Sequence, residues 1–146
     1  MNNSGPRTDE FPESEYPTRT PEEQRITFHR LVGRVANVIR AEGKKALARR
    51  ASEGVPNTRP LEEFEQRVLS AALALAGQGE LQEIQARVNQ GAEKPSGDTA
   101  VYFTLSRLDG EGFIRFENIE ATETEKGKVL FKVTEDGERV LSAQPQ

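Results

Sequence analysis

The sequence predicts an α+β, mainly helical chain in five segments: a disordered tail over residues 1–19, a basic amphipathic helix over 20–53, a linker over 54–60, a domain of helices and strands over 61–142, and a tail over 143–146. Three patterns predict this organisation. Residues 1–19 are rich in Pro, Glu, Ser and Thr without apolar periodicity, which is typical of disorder. Apolar residues then recur at helical spacing from residue 28. Residues 113–118 alternate between two faces, as a strand does.

The N-terminal helix is predicted to begin at a capping box. Thr20 is a capping residue, Pro21 suits the first helical position, and Glu23 completes the box. The apolar pattern carries the helix to about Ala41, and Gly43 is a candidate kink before residues 44–51. Its apolar stripe consists of Phe28, Leu31, Val32, Val35, Val38 and Ile39. Such an apolar stripe is expected to be buried against another surface, which could be the C-terminal domain, a second chain or a membrane.

The C-terminal domain is predicted to contain three helices, two strands and a closing helix. Residues 61–77 and 79–91 carry the first two helices, and Ser96 is expected to cap the third. Gly110 and Gly112 are expected to end it, because glycine enters the left-handed region without steric cost. Strands over 113–120 and 128–133 precede a short helix capped by Thr134. The expected core contains Leu73, Ile84, Val101, Leu105, Leu108, Ile114, Phe131 and Leu141.

This order of helices and strands is the layout of a winged helix-turn-helix domain. In such domains the third helix enters the major groove of DNA. The two strands and the polar loop between them, residues 121–127, form the wing. The sequence therefore predicts a winged helix-turn-helix domain with an additional N-terminal helix.

The composition offers little for catalysis. The chain has no Cys, which excludes a disulfide framework and a thiol nucleophile and fits a reducing cytoplasm. Its one histidine, His29, lies in the N-terminal helix and is interpreted as a surface or packing residue rather than a general base. No phosphate-binding loop, nucleophile elbow or metal-spaced cluster is apparent. We therefore expect no enzyme activity, no metal and no cofactor. The chain has no long apolar run, so the sequence predicts no signal peptide and no membrane span. We therefore expect a cytoplasmic location.

The segment "GDTAVYFTLSRLDGEGFI" resembles the recognition-helix segment of PadR-type transcriptional regulators. The matching residues are Gly97, Thr99, Val101, Tyr102, Leu105, Arg107, Leu108, Glu111, Gly112, Phe113 and Ile114. The likeness extends over about residues 61–141. It implies a DNA-binding dimer and a possible small aromatic ligand. Family members carry their dimer helix after the wing. Because only five residues follow Leu141, we expect the helix over about 21–41 to mediate a homodimer instead.

Candidate DNA contacts come from the third helix and the wing. Arg107 is the only cation of the third helix and the natural group for a guanine edge or a phosphate. Two other interpretations stay open: Tyr102 and Phe103 could belong to the core, and Arg107 could pair with a nearby acid. The candidate DNA-binding residues are Thr99, Tyr102, Phe103, Ser106, Arg107, Lys126 and Lys128.

The charge of the chain is unevenly distributed. Residues 25–50 hold eight Lys or Arg and one Glu, a net charge of +7, whereas residues 61–146 hold nine Lys or Arg and sixteen Asp or Glu, a net charge of −7. Phosphate contacts supply much of the affinity of DNA-binding proteins, so the acidic domain needs a basic companion. Lys44, Lys45, Arg49 and Arg50 are the candidate phosphate-contacting arm. They could equally be a solvated helix end whose cations favour the negative pole of the helix dipole.

Two functions follow as hypotheses. The first is a PadR-type transcriptional regulator, a homodimer that binds a pseudo-palindromic site in double-stranded DNA through its third helix and wing. The alternative is a winged-helix protein-interaction module without DNA binding. The arrangement of charge around the third helix distinguishes them, because a DNA-binding domain gathers cations there.

Overall fold

The computed structural model of this chain describes residues 20–75 and 78–144, and within them the fold is α+β and mainly helical. The predicted tail over 1–19 lies outside the described residues. Contacts between residues divide the chain into two compact units, Met1–Gly33 and Arg34–Gln146. The elements are α1 (Pro21–Ser52), α2 (Glu63–Ala74), β1 (Gln78–Gly79), α3 (Leu81–Val88), α4 (Asp98–Gly110), β2 (Ile114–Ile119), β3 (Lys128–Val133) and α5 (Glu135–Ser142).

Helix α1 begins at the predicted capping box. The Thr20 hydroxyl accepts the backbone N–H of Glu23 at 3.0 Å, and the Glu23 carboxylate accepts the backbone N–H of Thr20 at 2.8 Å. The helix continues through Gly43 without a break to Ser52, so residues 44–51 extend it as a single helix. In the first unit Phe28 and Leu31 are exposed, by 52% and 56%, and Val32 is half-buried.

The core of the second unit lies between α2, α3, α4 and the strands. Six of the eight expected core residues are buried: Ile84, Val101, Leu105, Leu108, Ile114 and Phe131. Leu73 and Leu141 are only half-buried. On α2 the buried positions are shared by Val68, Leu69, Ala71 and Ala72, so Leu73 falls at the edge of the buried face.

The sheet has three antiparallel strands in the order β1-β3-β2. Phe116 of β2 pairs with Phe131 of β3, and the two-residue strand β1 pairs with Phe131 and Lys132. The sequence pattern predicts no strand at residues 78–79, which lie where the first two helices were expected to connect. Two residues are too short to display a side-chain alternation, and their backbone hydrogen bonds define the strand.

The two ends of α4 are formed differently from each other. At its start Gly97 occupies the N-cap without a side-chain hydrogen bond, so the expected cap at Ser96 is wrong. The backbone N–H and carbonyl of Ser96 instead bind the side chain of Asn89. At its end Gly112 has φ of +83°, and the Phe113 N–H donates to the Leu108 carbonyl at 2.9 Å. This left-handed glycine stop confirms the predicted helix end.

Two glycines bring α1 and α4 into backbone contact. Gly43 is buried, and a Cβ there would lie 2.8 Å from the Arg107 carbonyl oxygen. A Cβ on Gly110 would overlap the Arg40 carbonyl oxygen. From the sequence, Gly43 was interpreted as a kink in the first helix and Gly110 as a residue that ends the third. The structure shows that their missing side chains allow the second half of α1 to pack closely on the C-terminal end of α4.

Candidate nucleic-acid interface

One face of α4 remains accessible after the core has formed. Val101, Leu105 and Leu108 occupy the buried face. Arg107 is exposed, and Thr99 and Phe103 are half-buried on the other side of the helix. Because these three residues are spaced by four, they follow one another along one strip of the helix surface.

Two of the candidate DNA-binding residues on α4 face inward. Ser106 is fully buried, and its hydroxyl donates to the Tyr102 carbonyl at 2.9 Å. Its assignment as a DNA contact is therefore wrong, because the side chain is enclosed within the domain and its hydroxyl bonds the backbone of its own helix. Tyr102 is half-buried, with its ring centroid 6.3 Å from that of Phe116 and 6.5 Å from that of Phe103. The Tyr102 ring thus belongs largely to the packing between α4 and β2.

Arg107 is restrained by an acid one turn further along the helix. Its Nε lies 3.5 Å from the Oε1 of Glu111, although half of the Arg107 side chain stays exposed. Glu111 is fully buried at the C-cap of α4. The expected alternative of a pairing between Arg107 and a nearby acid is therefore confirmed, in a geometry that leaves the guanidinium accessible.

Glu111 is the centre of a buried ion-pair network. Arg59 donates to both of its oxygens, from Nε at 2.7 Å and from Nη2 at 2.5 Å, and Arg50 donates from Nη2 at 3.0 Å. Arg59 also donates to both oxygens of the buried Glu65 at 2.8 Å. The Asn57 side chain donates to the Glu111 carbonyl at 2.7 Å. Helix α1, the end of α4 and the segment predicted as a linker therefore meet at the Glu111 carboxylate, and α2 joins the network through Glu65.

The network stabilises the charged forms of its members. Burial alone would raise the pKa of Glu111, but the hydrogen bonds and charge of Arg59, with Arg50 and Arg107, hold that pKa below its ordinary value. The pKa of Glu65 is lowered against the same penalty by Arg59 and the Glu62 backbone. The pKa of Arg59 is raised by the two carboxylates, although burial opposes this. Such pairing is what permits charged groups to be buried.

The candidate phosphate-contacting arm separates into two parts. Lys44, Lys45 and Arg49 are exposed on α1, and Lys45 lies 3.5 Å from Glu42. Arg50 is only 12% exposed and is committed to Glu111. Its inclusion in a solvent-facing arm is therefore wrong, because it lies on the same side of α1 as Gly43 and Leu47, which approach α4 and Gly112.

The wing carries the two remaining candidate residues. Lys126 and Lys128 are exposed, at the loop and at the start of β3. The loop is closed by Thr122, whose N–H donates to the Glu125 carbonyl at 2.8 Å and whose hydroxyl accepts the Glu125 N–H at 3.0 Å. This turn lies between the two strands and leaves both lysines in solvent.

Three arginines with structural roles were not singled out from the sequence: Arg40, and Arg50 and Arg59 as partners of Glu111. Arg40 binds Asp109 at 2.6 Å and lies 4.6 Å from the centroid of the Phe116 ring. Their partners at the end of α4, Asp109 and Glu111, lie 52 to 69 positions away in the chain. Among these arginines and their acidic partners, only Glu111 is marked by a local sequence pattern, because it lies between Gly110 and Gly112 at the end of the third helix.

Comparisons of the chain with protein-family models, with curated proteins and with solved structures each find no match. Within residues 20–75 and 78–144, no helix combines the length and apolar character that crossing a bilayer requires. The same described residues contain no group of three or more acidic or histidine side chains that could hold a metal ion.

Proposed function

We propose that this chain is a DNA-binding transcriptional regulator with a winged helix-turn-helix domain of the PadR type. The observation that carries the proposal is the accessible strip Thr99–Phe103–Arg107 on α4, in a domain whose wing strands β2 and β3 follow that helix directly. The order helix, strand, helix, helix, strand, strand supports the winged-helix assignment. So does the sheet order β1-β3-β2.

In this proposal α4 lies in the major groove. Arg107 donates to a guanine edge, a contact that carries about 1–3 kcal/mol of discrimination between bases. Thr99 and Phe103 contact phosphate, sugar or a thymine methyl group. Lys126 and Lys128 neutralise the backbone beside the groove. Glu111 lies within ion-pair distance of Arg107 and limits the orientations of its guanidinium before DNA arrives.

Basic residues of α1 supply the sequence-independent part of the affinity. Lys44, Lys45 and Arg49 are exposed within two helical turns of Gly43, where α1 contacts α4. Their charge offsets the net −7 of residues 61–146. We further propose that the exposed apolar stripe of α1 pairs with the same stripe of a second chain, so that two α4 helices meet the two halves of a pseudo-palindromic operator.

The excess of acid in residues 61–146 favours a second candidate, a winged-helix module that binds a protein partner without DNA. In that case α4 would serve packing, and the basic side chains of α1 would meet an acidic protein surface. The two candidates differ in whether the chain binds DNA at all at low salt.

The test measures binding to the DNA upstream of its own gene and to random DNA, over a range of salt concentrations. Arg107→Ala is expected to weaken binding to the upstream site more than to random DNA. Changing Lys44, Lys45 and Arg49 together to Ala should weaken both equally and reduce the slope of log affinity against log salt by about 0.9 for each phosphate that the variant no longer neutralises. Arg139→Ala, which removes one exposed cation of α5, is the matched control and should change neither.

Two outcomes would contradict the proposal. Absence of measurable binding to any DNA at low salt would favour the protein-interaction module. Strong binding that is insensitive to both changes would show that DNA meets another surface of the chain.

A further inference from the structure

A groove of about 460 Å³ lies in the second unit between α2 and the end of α3. Residues of α2 line this α2–α3 groove from Glu63 to Ala74, and the last turn of α3 forms its other wall. At about 1.5 Å per helical residue its length is about 16 Å, which an extended peptide of about five residues spans. Among the described residues, none from α4 or the wing strands lines the groove, so it is separate from the proposed DNA contacts.

Two arginines line the α2–α3 groove, Arg67 from α2 and Arg87 from the last turn of α3. Both are exposed. Within residues 20–75 and 78–144 neither of them forms an ion pair, whereas Arg107 and Arg139 of the same domain each lie beside an acid. Acids outnumber basic residues by sixteen to nine over residues 61–146. Two guanidinium groups without a carboxylate partner therefore lie in one groove of an acidic domain.

The Arg67 side chain is held in place by the backbone of α3. Its Nη2 donates to the Val88 carbonyl at 3.1 Å, at the last residue of that helix. This bond fixes the guanidinium between the two helices and leaves its other N–H groups for a ligand. Because Arg87 directly precedes Val88, Arg67 reaches the end of α3 from which Arg87 extends. A side chain that is ordered before binding loses less entropy when the ligand arrives.

The charge of the lining favours separated carboxylates over a continuous line of phosphates. Guanidinium groups bind carboxylates through paired hydrogen bonds. The lining carries two positive charges from its arginines and one negative charge from Glu63. A nucleic-acid backbone, with a charge on every nucleotide, would place phosphate beside Glu63 in a domain of net charge −7. A peptide can place a neutral residue at that position.

From two arginines without partners, one of them fixed between the helices, and from the length of the groove, we propose that the α2–α3 groove binds an extended acidic segment of a partner protein. One carboxylate of the segment binds Arg67, a second binds Arg87, and a neutral residue lies beside Glu63. The Ser70 hydroxyl and the Gln90 amide supply neutral hydrogen bonds along the groove. The proposal does not rest on DNA binding, because α4 and the wing are not involved.

Fluorescence anisotropy of labelled peptides with the full chain tests the charge preference. The probe is a peptide of alternating glutamate and alanine, about six residues long. Glutamine replaces glutamate in one control peptide, and lysine replaces it in the other. At low salt we expect the glutamate peptide to bind roughly tenfold more tightly than the glutamine peptide, because hydrogen bonds between charged groups are stronger than those to neutral ones. The lysine peptide should bind most weakly.

Three variants of exposed residues test the location. Arg87→Ala should weaken binding of the glutamate peptide roughly tenfold. Arg139→Ala, the matched control on α5, should leave it within about twofold because the two sites are independent. Glu63→Gln should strengthen binding, because it removes the negative charge from the groove. Damage to the fold would not produce effects of opposite sign at Arg87 and Glu63. Amide chemical shifts of the unaltered chain should change around Ser70 and Gln90.

Four outcomes would overturn the proposal. Three concern the peptides: no binding of the glutamate peptide, equal affinity for the glutamate and glutamine peptides, or equal losses in Arg87→Ala and Arg139→Ala. The fourth is a loss of affinity for random duplex DNA in Arg87→Ala, which would assign the α2–α3 groove to nucleic acid instead.

Discussion

Two sets of positions on helix α1 reverse the usual relation between polarity and burial. The apolar set, Phe28, Leu31 and Val38, is exposed. The other set comprises Arg40, Gly43 and Arg50, and these residues contact α4 and the groups around it. Within the second unit, α1 therefore presents Val38 to solvent while the Arg40 and Arg50 side chains are largely buried. The helical pattern of apolar residues identifies the first set but gives no indication of the second.

This difference indicates that the buried arginines of α1 are held in place by the acidic residues that bind them, Asp109 and Glu111. Asp109 and Glu111 lie at the end of α4, where Gly110 allows α1 to come close. A buried ion pair adds little net stability when compared with apolar residues of the same shape, but removal of one partner is costly. The arginines of α1 thus specify where this helix packs. The exposed apolar set has no such partner in the described part of the chain, and for that reason we propose that a second chain covers it.

The largest expected effect comes from removing the carboxylate that α1 binds. Glu111→Ala leaves Arg59 and Arg50 buried without their shared anion, and we expect a loss of about 3–5 kcal/mol in the free energy of unfolding. Glu42→Ala is the matched control, because Glu42 and its partner Lys45 are both well exposed on α1. It should change the free energy of unfolding by less than about 1 kcal/mol. Urea titration at pH 7 measures both, and equal losses would contradict the ion-pair network.

The two glycines of α1 should respond to alanine with opposite signs. Gly43→Ala introduces a Cβ 2.8 Å from the Arg107 carbonyl oxygen and 3.0 Å from the Glu111 nitrogen. Because both are backbone atoms, we expect a loss of about 1–3 kcal/mol. Gly33→Ala meets nothing within 4 Å and should stabilise the helix by up to about 1 kcal/mol through propensity alone. Thermal unfolding compares them, and stabilisation by Gly43→Ala would contradict the close approach of α1 to α4.

The ion-pair network should also appear in the dependence of stability on pH. The pKa values of Glu65 and Glu111 are lowered from an ordinary value of 4.5, so their contribution is complete above pH 4.5 and is lost as the pH falls through the lowered values. The difference in free energy of unfolding between the unaltered chain and Glu111→Gln should therefore shrink as the pH is lowered from neutral to below the lowered pKa values. A constant difference over this range would argue that Glu111 acts through its shape and not through its charge.

The smallest effect on stability is expected at the exposed apolar set, where the consequence is a change of assembly. Leu31→Glu places a charge in the proposed interface between two chains, and Ala48→Glu adds the same charge at an exposed position further along α1. Light scattering should give twice the chain mass of 16.2 kDa for the unaltered protein and for Ala48→Glu. Leu31→Glu should give the mass of one chain. A dimeric Leu31→Glu would move the interface away from the apolar stripe.

Local signals in the sequence were sufficient for most of the helices and strands. The capping box at Thr20, the cap at Thr134 and the glycine stop at Gly112 depend on residues a few positions apart, and each is present as predicted. Ser96 failed as a cap because Asn89, seven positions earlier, binds its backbone. Sequence periodicity also identified Val101, Leu105 and Leu108 as buried residues of α4, but it placed Ser106 on the open side with Arg107.

The candidate site was only partly predictable, because its geometry depends on distant parts of the chain. Ser106 and Arg107 are adjacent polar residues on one helix, yet one is buried and the other exposed. Arg49 and Arg50 are equally basic, and only Arg50 reaches Glu111. Neither distinction follows from residue type, since each depends on which element packs against the helix at that position.

By itself the sequence determined most helix and strand boundaries, the apolar core and the division of charge between α1 and the rest, since these depend on local propensity and periodicity. Only the tertiary structure decided which charges stay free. The partners of Arg40, Arg50 and Arg59 are brought to them by the packing of α1 and of the segment after it on α4. The α2–α3 groove likewise exists only where those two helices meet, because no single element contains its walls.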